Sequence, residues 1–183
     1  MKYGIPFAAT AALLLALGSG CRQPSDPALV SALDSMMVRT DSLIVGLDTI
    51  DLARCDHMDS VFRSQRTPLE DLLRDTLAKD QAVAIGNYFR AMDRSLGRVR
   101  GKTKGVHAEL LTSRKQLEDL RHDIDNGLLP EGPRATYFEQ ERLVLDQLAQ
   151  SVQVIQNSYR TATREWNAQH HGVAELLAPP PGP

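Results

Sequence analysis

The sequence predicts an all-α protein: an elongated antiparallel bundle of about four long amphipathic helices. Three observations predict it. Apolar residues recur at alternating spacings of three and four over most of the chain, the stripe of a helix that buries one face. No strand-like alternation of useful length interrupts them. The composition is helix-forming, with aromatic residues at only 5% and Leu, Ala, Asp, Arg and Gln common. Two long coiled-coil hairpins would bury the same stripes, so spacing alone does not separate the two arrangements.

The chain opens with Lys2, then an apolar run from Ile5 to Leu17 that only Pro6 and Thr10 interrupt. The run is too short for a bilayer, which needs roughly 20 residues. The small residues Gly18, Ser19 and Gly20 follow, and then Cys21. Leu17-Gly18-Ser19-Gly20-Cys21 resembles the lipobox of bacterial lipoproteins, with Gly18 where the family usually has Leu and Leu17 one place further back. The resemblance implies that residues 1–20 are a signal peptide removed on export. It also implies that the Cys21 thiol carries diacylglycerol and that its new amine is acylated. Each buried methylene contributes about 0.8 kcal/mol, and two or three chains together anchor stably in the bilayer where one does not. Arg22 stands where an Asp would signal inner-membrane retention, so the resemblance implies the outer membrane of a bacterial cell envelope. Residues 21–25 form a lipidated N-terminus and a tether reaching roughly 15 Å.

The helical domain is expected over residues 26–171. Asp26 caps helix one and Pro27 suits its first turn. Leu29, Leu33, Met36, Thr40, Leu43, Leu47 and Ile50 form its stripe. The pattern blurs at Arg54-Cys55-Asp56-His57, where a bend is expected, and resumes with Met58, Val61 and Phe62. Thr67-Pro68-Leu69-Glu70 reads as a capping box opening helix two, after a very short turn. Helix two carries Leu69, Leu72, Leu73 and Leu77, slips phase through Ala78–Ala84, and continues as Ile85, Phe89, Met92, Leu96 and Val99. Gly97, Gly101 and Gly105 predict the next break. Helix three follows with Val106, Leu110, Ser113, Leu117, Leu120 and Ile124, and stops at Asn126-Gly127 before Pro130. Helix four starts near Pro133 and carries Phe138, Leu145, Leu148, Val152, Ile155, Tyr159, Ala162 and Trp166, with Glu141 as the one charged interruption. Gly172 is expected to end it, leaving residues 172–183 as a Pro-rich disordered tail.

Without residues 1–20 the chain is one domain's worth, about 160 residues. A formal net charge of −2 over the whole chain is near balance and argues neither for nor against nucleic acid; export is what leaves no nucleic-acid partner expected. Of the two cysteines, lipidation of Cys21 leaves Cys55 alone: a small hydrophobe of a helix face, or a thiol for an intermolecular disulfide.

The chemistry-bearing motifs are few. Asp119 and His122 sit three apart, as in the Glu-x-x-His pairs of di-metal bundles, but there is one copy only and it carries Asp. Cys55 and His57, two apart on a helix, point away from each other. His170-His171 lies at a helix end and makes two loose ligands. There is no Cys-x-x-Cys-His haem motif, no Gly-x-Ser-x-Gly nucleophile elbow and no phosphate-cradling P-loop. No metal, no cofactor and no enzyme activity is expected. The most distinctive feature of the mature chain is a basic run: Arg90, Arg94, Arg98, Arg100, Lys102 and Lys104, opposed locally only by Asp93. Such a run meets an anionic partner, or else complements a helix C-terminus and a charged loop.

The expected function is a membrane-anchored, non-enzymatic helical scaffold that holds an envelope protein partner in a groove between helices. The alternative is a periplasmic helical chaperone or envelope stress sensor. Leu111-Thr112-Ser113-Arg114-Lys115 resembles the Leu-Thr-x-x-Gln motif of small helical periplasmic chaperones, but Lys115 stands in place of Gln.

Overall fold

The computed structural model describes residues 25–74 and 77–178. The expected signal peptide, the expected lipidation site Cys21, the expected tether up to Pro24 and residues 179–183 lie outside them. The described residues are helical throughout, with no strand: α1 (Pro27–Asp48), α2 (Leu52–Leu72), α3 (Lys79–Arg90), a π-helical segment (Ala91–Leu96), α4 (Gly97–Asp125) and α5 (Glu131–Leu176). No helix among them is long and apolar enough to cross a membrane.

Local chemistry sets several boundaries where the sequence places them. The Asp26 carboxylate accepts from the backbone N–H groups of Ala28 and Leu29, both at 3.1 Å, and Pro27 fills the first turn. At the far end of α4, Gly127 takes φ 64°, a conformation that costs glycine little. The chain then folds back, with the Leu128 N–H donating to the Asp123 carbonyl at 2.8 Å.

The other breaks fall elsewhere than expected. The bend anticipated at Arg54–His57 is a full break at Thr49–Asp51. The Asp51 carboxylate accepts from the Arg54 N–H at 2.8 Å and starts a new helix, while Ile50 turns into the core. Thr67-Pro68 does not open a helix; Pro68 lies inside α2. A proline there costs about 3 kcal/mol. Phe62 and Leu69 are both buried on the α2 face, and each such side chain contributes roughly 1.5–3 kcal/mol. The glycine run does not break the chain either. α3, the π segment and α4 form one continuous rod over residues 79–125, about 70 Å long. Gly97, Gly101 and Gly105 cost roughly 0.5–1 kcal/mol each. The buried row Val99, Thr103, Val106 and Leu110 outweighs them. Gly172 likewise lies inside α5, which runs on to Leu176.

Cross-helix contacts give the directions. α1 and α2 run antiparallel to the rod and parallel to α5. Five charged contacts step down the α1/α2–rod seam from four rod residues at heptad intervals: Arg121 to Asp34 (2.6 Å), Arg114 to Asp41 (2.9 Å), His107 to Asp48 (3.2 Å) and Arg100 to Asp56 and Asp59 (2.8 and 2.6 Å). One heptad further the polarity reverses, with Asp93 on the rod and Arg66 on α2 at 3.1 Å. On the α5 side Arg39 meets Asp146 at 2.7 Å, Gln156 donates to the Gly46 carbonyl at 3.1 Å, and Arg54 donates to Asn167 at 2.7 Å.

Two apolar clusters fill the interior. Leu33, Met36, Leu117, Leu120, Ile124 and Leu145 pack where α1 begins. The larger one runs from Leu47 past Met58, Phe62, Tyr88, Met92 and Leu110 to Trp166 and Val173. Thr40 and Ser113, both buried, stand between the two clusters. The Thr40 hydroxyl donates back to the Met36 carbonyl at 2.9 Å. Ser113 Oγ has no partner among the described residues.

Candidate functional site: an arginine groove

The basic run does not act as one unit. On a helix, side chains four apart drift by about 40° per step. The π segment turns less per residue, offsets that drift and holds Arg90, Arg94 and Arg98 in one row. This row faces α5 and, with Asn87, Ala91, Ser95, Thr161, Arg164 and Glu165, lines a shallow groove of about 380 Å³.

The guanidinium groups are held in different ways. Arg90 donates to the Gly86 carbonyl at 3.2 Å and to Asn87 Oδ1 at 2.6 Å. Arg98 reaches across the groove and donates to Ser158 Oγ at 2.9 Å. Arg164, largely exposed, pairs with the neighbouring Glu165 at 2.8 Å. Arg94 makes no hydrogen bond or ion pair among the described residues, and neither do the hydroxyls of Ser95 and Thr161. The groove therefore gathers four guanidinium groups around a single carboxylate.

The remaining members of the run point elsewhere. Arg100 turns to α2, where hydrogen bonds to Asp56 and Asp59 raise its pKa further and occupy it. Lys102 and Lys104 are exposed and unpaired among the described residues. Lys104 sits beside His107 and Thr103, at the break between α1 and α2. Arg164, far away in sequence, is the member that reading the run alone misses. A second row of arginines on α5, Arg160 and Arg164, was the available signal.

The other candidate motifs resolve into structure. Asp119 pairs with Lys115 at 3.1 Å, and His122 neighbours Asn126 at 3.2 Å. Cys55 is fully buried, and burial, then Asp51 and Asp56, push its thiol up to about 11. His57 meets Trp166 edge-on at 6.0 Å, and His170 stacks on the same indole at 3.9 Å. Burial, then His57 and His171, lower the His170 pKa. His171 contacts Glu175 at 3.2 Å. Among the described residues no three His, Cys, Asp or Glu side chains converge in a way that holds a metal ion. Glu141, the charged interruption of the α5 stripe, is half-buried. Burial raises its pKa, and its Oε2 has no partner among the described residues.

Comparison with family models, with curated proteins and with solved structures returns no match for this chain.

Proposed function

We propose that this chain is a lipid-anchored, non-enzymatic helical scaffold of the bacterial cell envelope. In this reading acylated Cys21 holds it in the bilayer, at the outer membrane, and the arginine groove receives an envelope protein partner rather than nucleic acid. One observation carries the proposal. The rod's α1/α2-facing arginines Arg100, Arg114 and Arg121 each have a carboxylate, whereas Arg90, Arg94 and Arg98 have none among the described residues. A row of unneutralised arginines along an interhelical groove supports recognition of an anionic surface. The groove also lies about 50 Å along α5 from its start, the end at which Ser25 meets Asp125. An anchor at one end and a binding face near the other is the layout of a spacer.

The test has two arms. Cys21→Ser is expected to move the protein from the membrane fraction to the soluble one and to abolish labelling by radioactive palmitate; a variant that stays membrane-bound overturns the anchor. Mild crosslinking of the lipidated protein in the cells that make it, followed by purification, is expected to yield one stoichiometric envelope partner. A second reading, a chaperone or stress sensor, is favoured by the exposed apolar side chains Leu111, Leu143, Val144 and Val154. It predicts instead many partly unfolded clients and suppression of their aggregation without a stable complex.

A further inference from the structure

We infer that the groove between the rod and α5 receives an amphipathic helix of the partner, one that carries carboxylates a single turn apart at one end and apolar side chains at the other. The inference rests on the scaffold reading above and specifies the chemistry of its partner.

The molecule's own seams supply the precedent. Where α1 and α2 lie along the rod, Arg121, Arg114, His107 and Arg100, each a heptad from the next, meet aspartates on the facing helix. The α5-facing row offers the same arginine chemistry with the opposing carboxylates missing among the described residues. Arg90, Arg94 and Arg98 are spaced about 6 Å apart along the axis, the rise of four helical residues. Glu or Asp at i and i+4 of a helix lying alongside has nearly the same spacing, so two neighbouring pairs form together before the 40° drift of each further step turns the next position away.

Arg98 reaches Ser158 across the seam. Fourteen residues further along α4, and fourteen back along α5, Thr112 and Val144 line another shallow groove with Ala108, Glu109, Gln116 and Leu148. Two heptads on each antiparallel helix return to the same seam, so the basic groove and this less polar one lie about 20 Å apart along one line, the channel that a single helix would follow. Val144 is 42% exposed there. Gly105, halfway along, has open space where a Cβ would stand, so no packing within the described structure explains it. A helix laid over the channel would bury Val144 and approach closely at Gly105.

The test is site-specific photocrosslinking of the full-length lipidated chain in its own cells, with a benzophenone residue at Asn87 or at Thr112. Both positions are exposed and flank the channel. Sequencing the adducts is expected to show both sites on one helical segment of one protein. Carboxylates spaced three or four apart should lie near the Asn87 adduct and apolar residues near the Thr112 adduct. Arg94→Glu should lower the Asn87 adduct at least tenfold, whereas Lys104→Glu, the same charge change off the channel, should not. Unchanged circular dichroism and melting of Arg94→Glu exclude loss of the fold as the cause. Adducts to lipid or glycan, adducts to a neutral or basic segment, or yields indifferent to Arg94→Glu overturn the inference. If a stoichiometric partner is recovered but crosslinks only elsewhere, the channel reading falls and the scaffold reading stands; if no partner is recovered, both fall.

Discussion

The glycines of α4 allow a sharp test of the continuous rod. Gly101 and Gly105 lie inside α4, with ordinary negative φ and nothing within 4 Å of an added Cβ. Replacing either with alanine therefore meets no steric cost. Each change removes backbone freedom from the unfolded chain and gains roughly 0.5–1 kcal/mol. The sites are a turn apart and share no packed side chain, so the gains should add to about 1–2 kcal/mol. For a domain of this size 1 kcal/mol moves Tm by roughly 2–4 °C, so Gly101→Ala/Gly105→Ala should raise it by about 2–8 °C. The assay is thermal and urea unfolding of residues 22–183, followed by helical circular dichroism. Gly127→Ala is the internal contrast. Its φ of 64° strains any β-carbon, so the same chemical change should lower stability by about 1 kcal/mol. If the double variant is unchanged or less stable, the chain turns at Gly101–Gly105 and the rod is not continuous.

Three further outcomes follow from the interior. Leu117→Ala, at a fully buried position in the cluster beside α1, should cost about 2–5 kcal/mol in urea unfolding. Cys55, buried and with its pKa pushed up to about 11, should react with a thiol reagent at pH 8 only as fast as the protein unfolds; rapid reaction of the native protein would contradict this burial. Glu141→Gln should stabilise the protein at pH 7. Its raised pKa means that the folded state binds the carboxyl proton more tightly than the unfolded state, so stability falls as pH rises from the usual carboxylate value through the raised one. The gain from Gln should shrink as pH drops and the native carboxyl becomes protonated, and a gain independent of pH would refute the cause.

The fold was legible wherever a stripe buries one face. Val106, Leu110, Ser113, Leu117, Leu120 and Ile124 are all buried, as their spacing requires. Leu145, Leu148, Val152, Ile155, Ala162 and Trp166 follow the same rule on α5. Helix ends were legible where the cap satisfies its own backbone, as at Asp26 and Gly127. They were not legible where local propensity and long-range packing disagree. Pro68 and the α4 glycines argue locally for breaks, and buried side chains on either side override them. Tyr88, fully buried three residues after Ile85 and four before Met92, fits the ordinary spacing, but the neighbouring Phe89, which is only half-buried, fits it equally from sequence. The arginine groove was half legible: the basic run is local, but its division into a row facing α5 and a single Arg100 facing α2 depends on the π segment, and Arg164 arrives from another helix.

The reversed rung between Arg66 and Asp93 does something the others cannot. A ladder of identical Arg–Asp rungs at heptad spacing tolerates slippage, because sliding one helix by seven residues pairs each arginine with the next aspartate. Each exposed rung contributes only about 0.2–1 kcal/mol, so little would oppose the slip. With one rung inverted, a slide in one direction sets Asp59 against Asp93, and in the other sets Arg66 against Arg100. Both misalignments bring like charges face to face. The inversion adds little to the depth of the native state but raises its nearest competitors, giving α2 a single place to stop along a helix that otherwise looks alike every two turns.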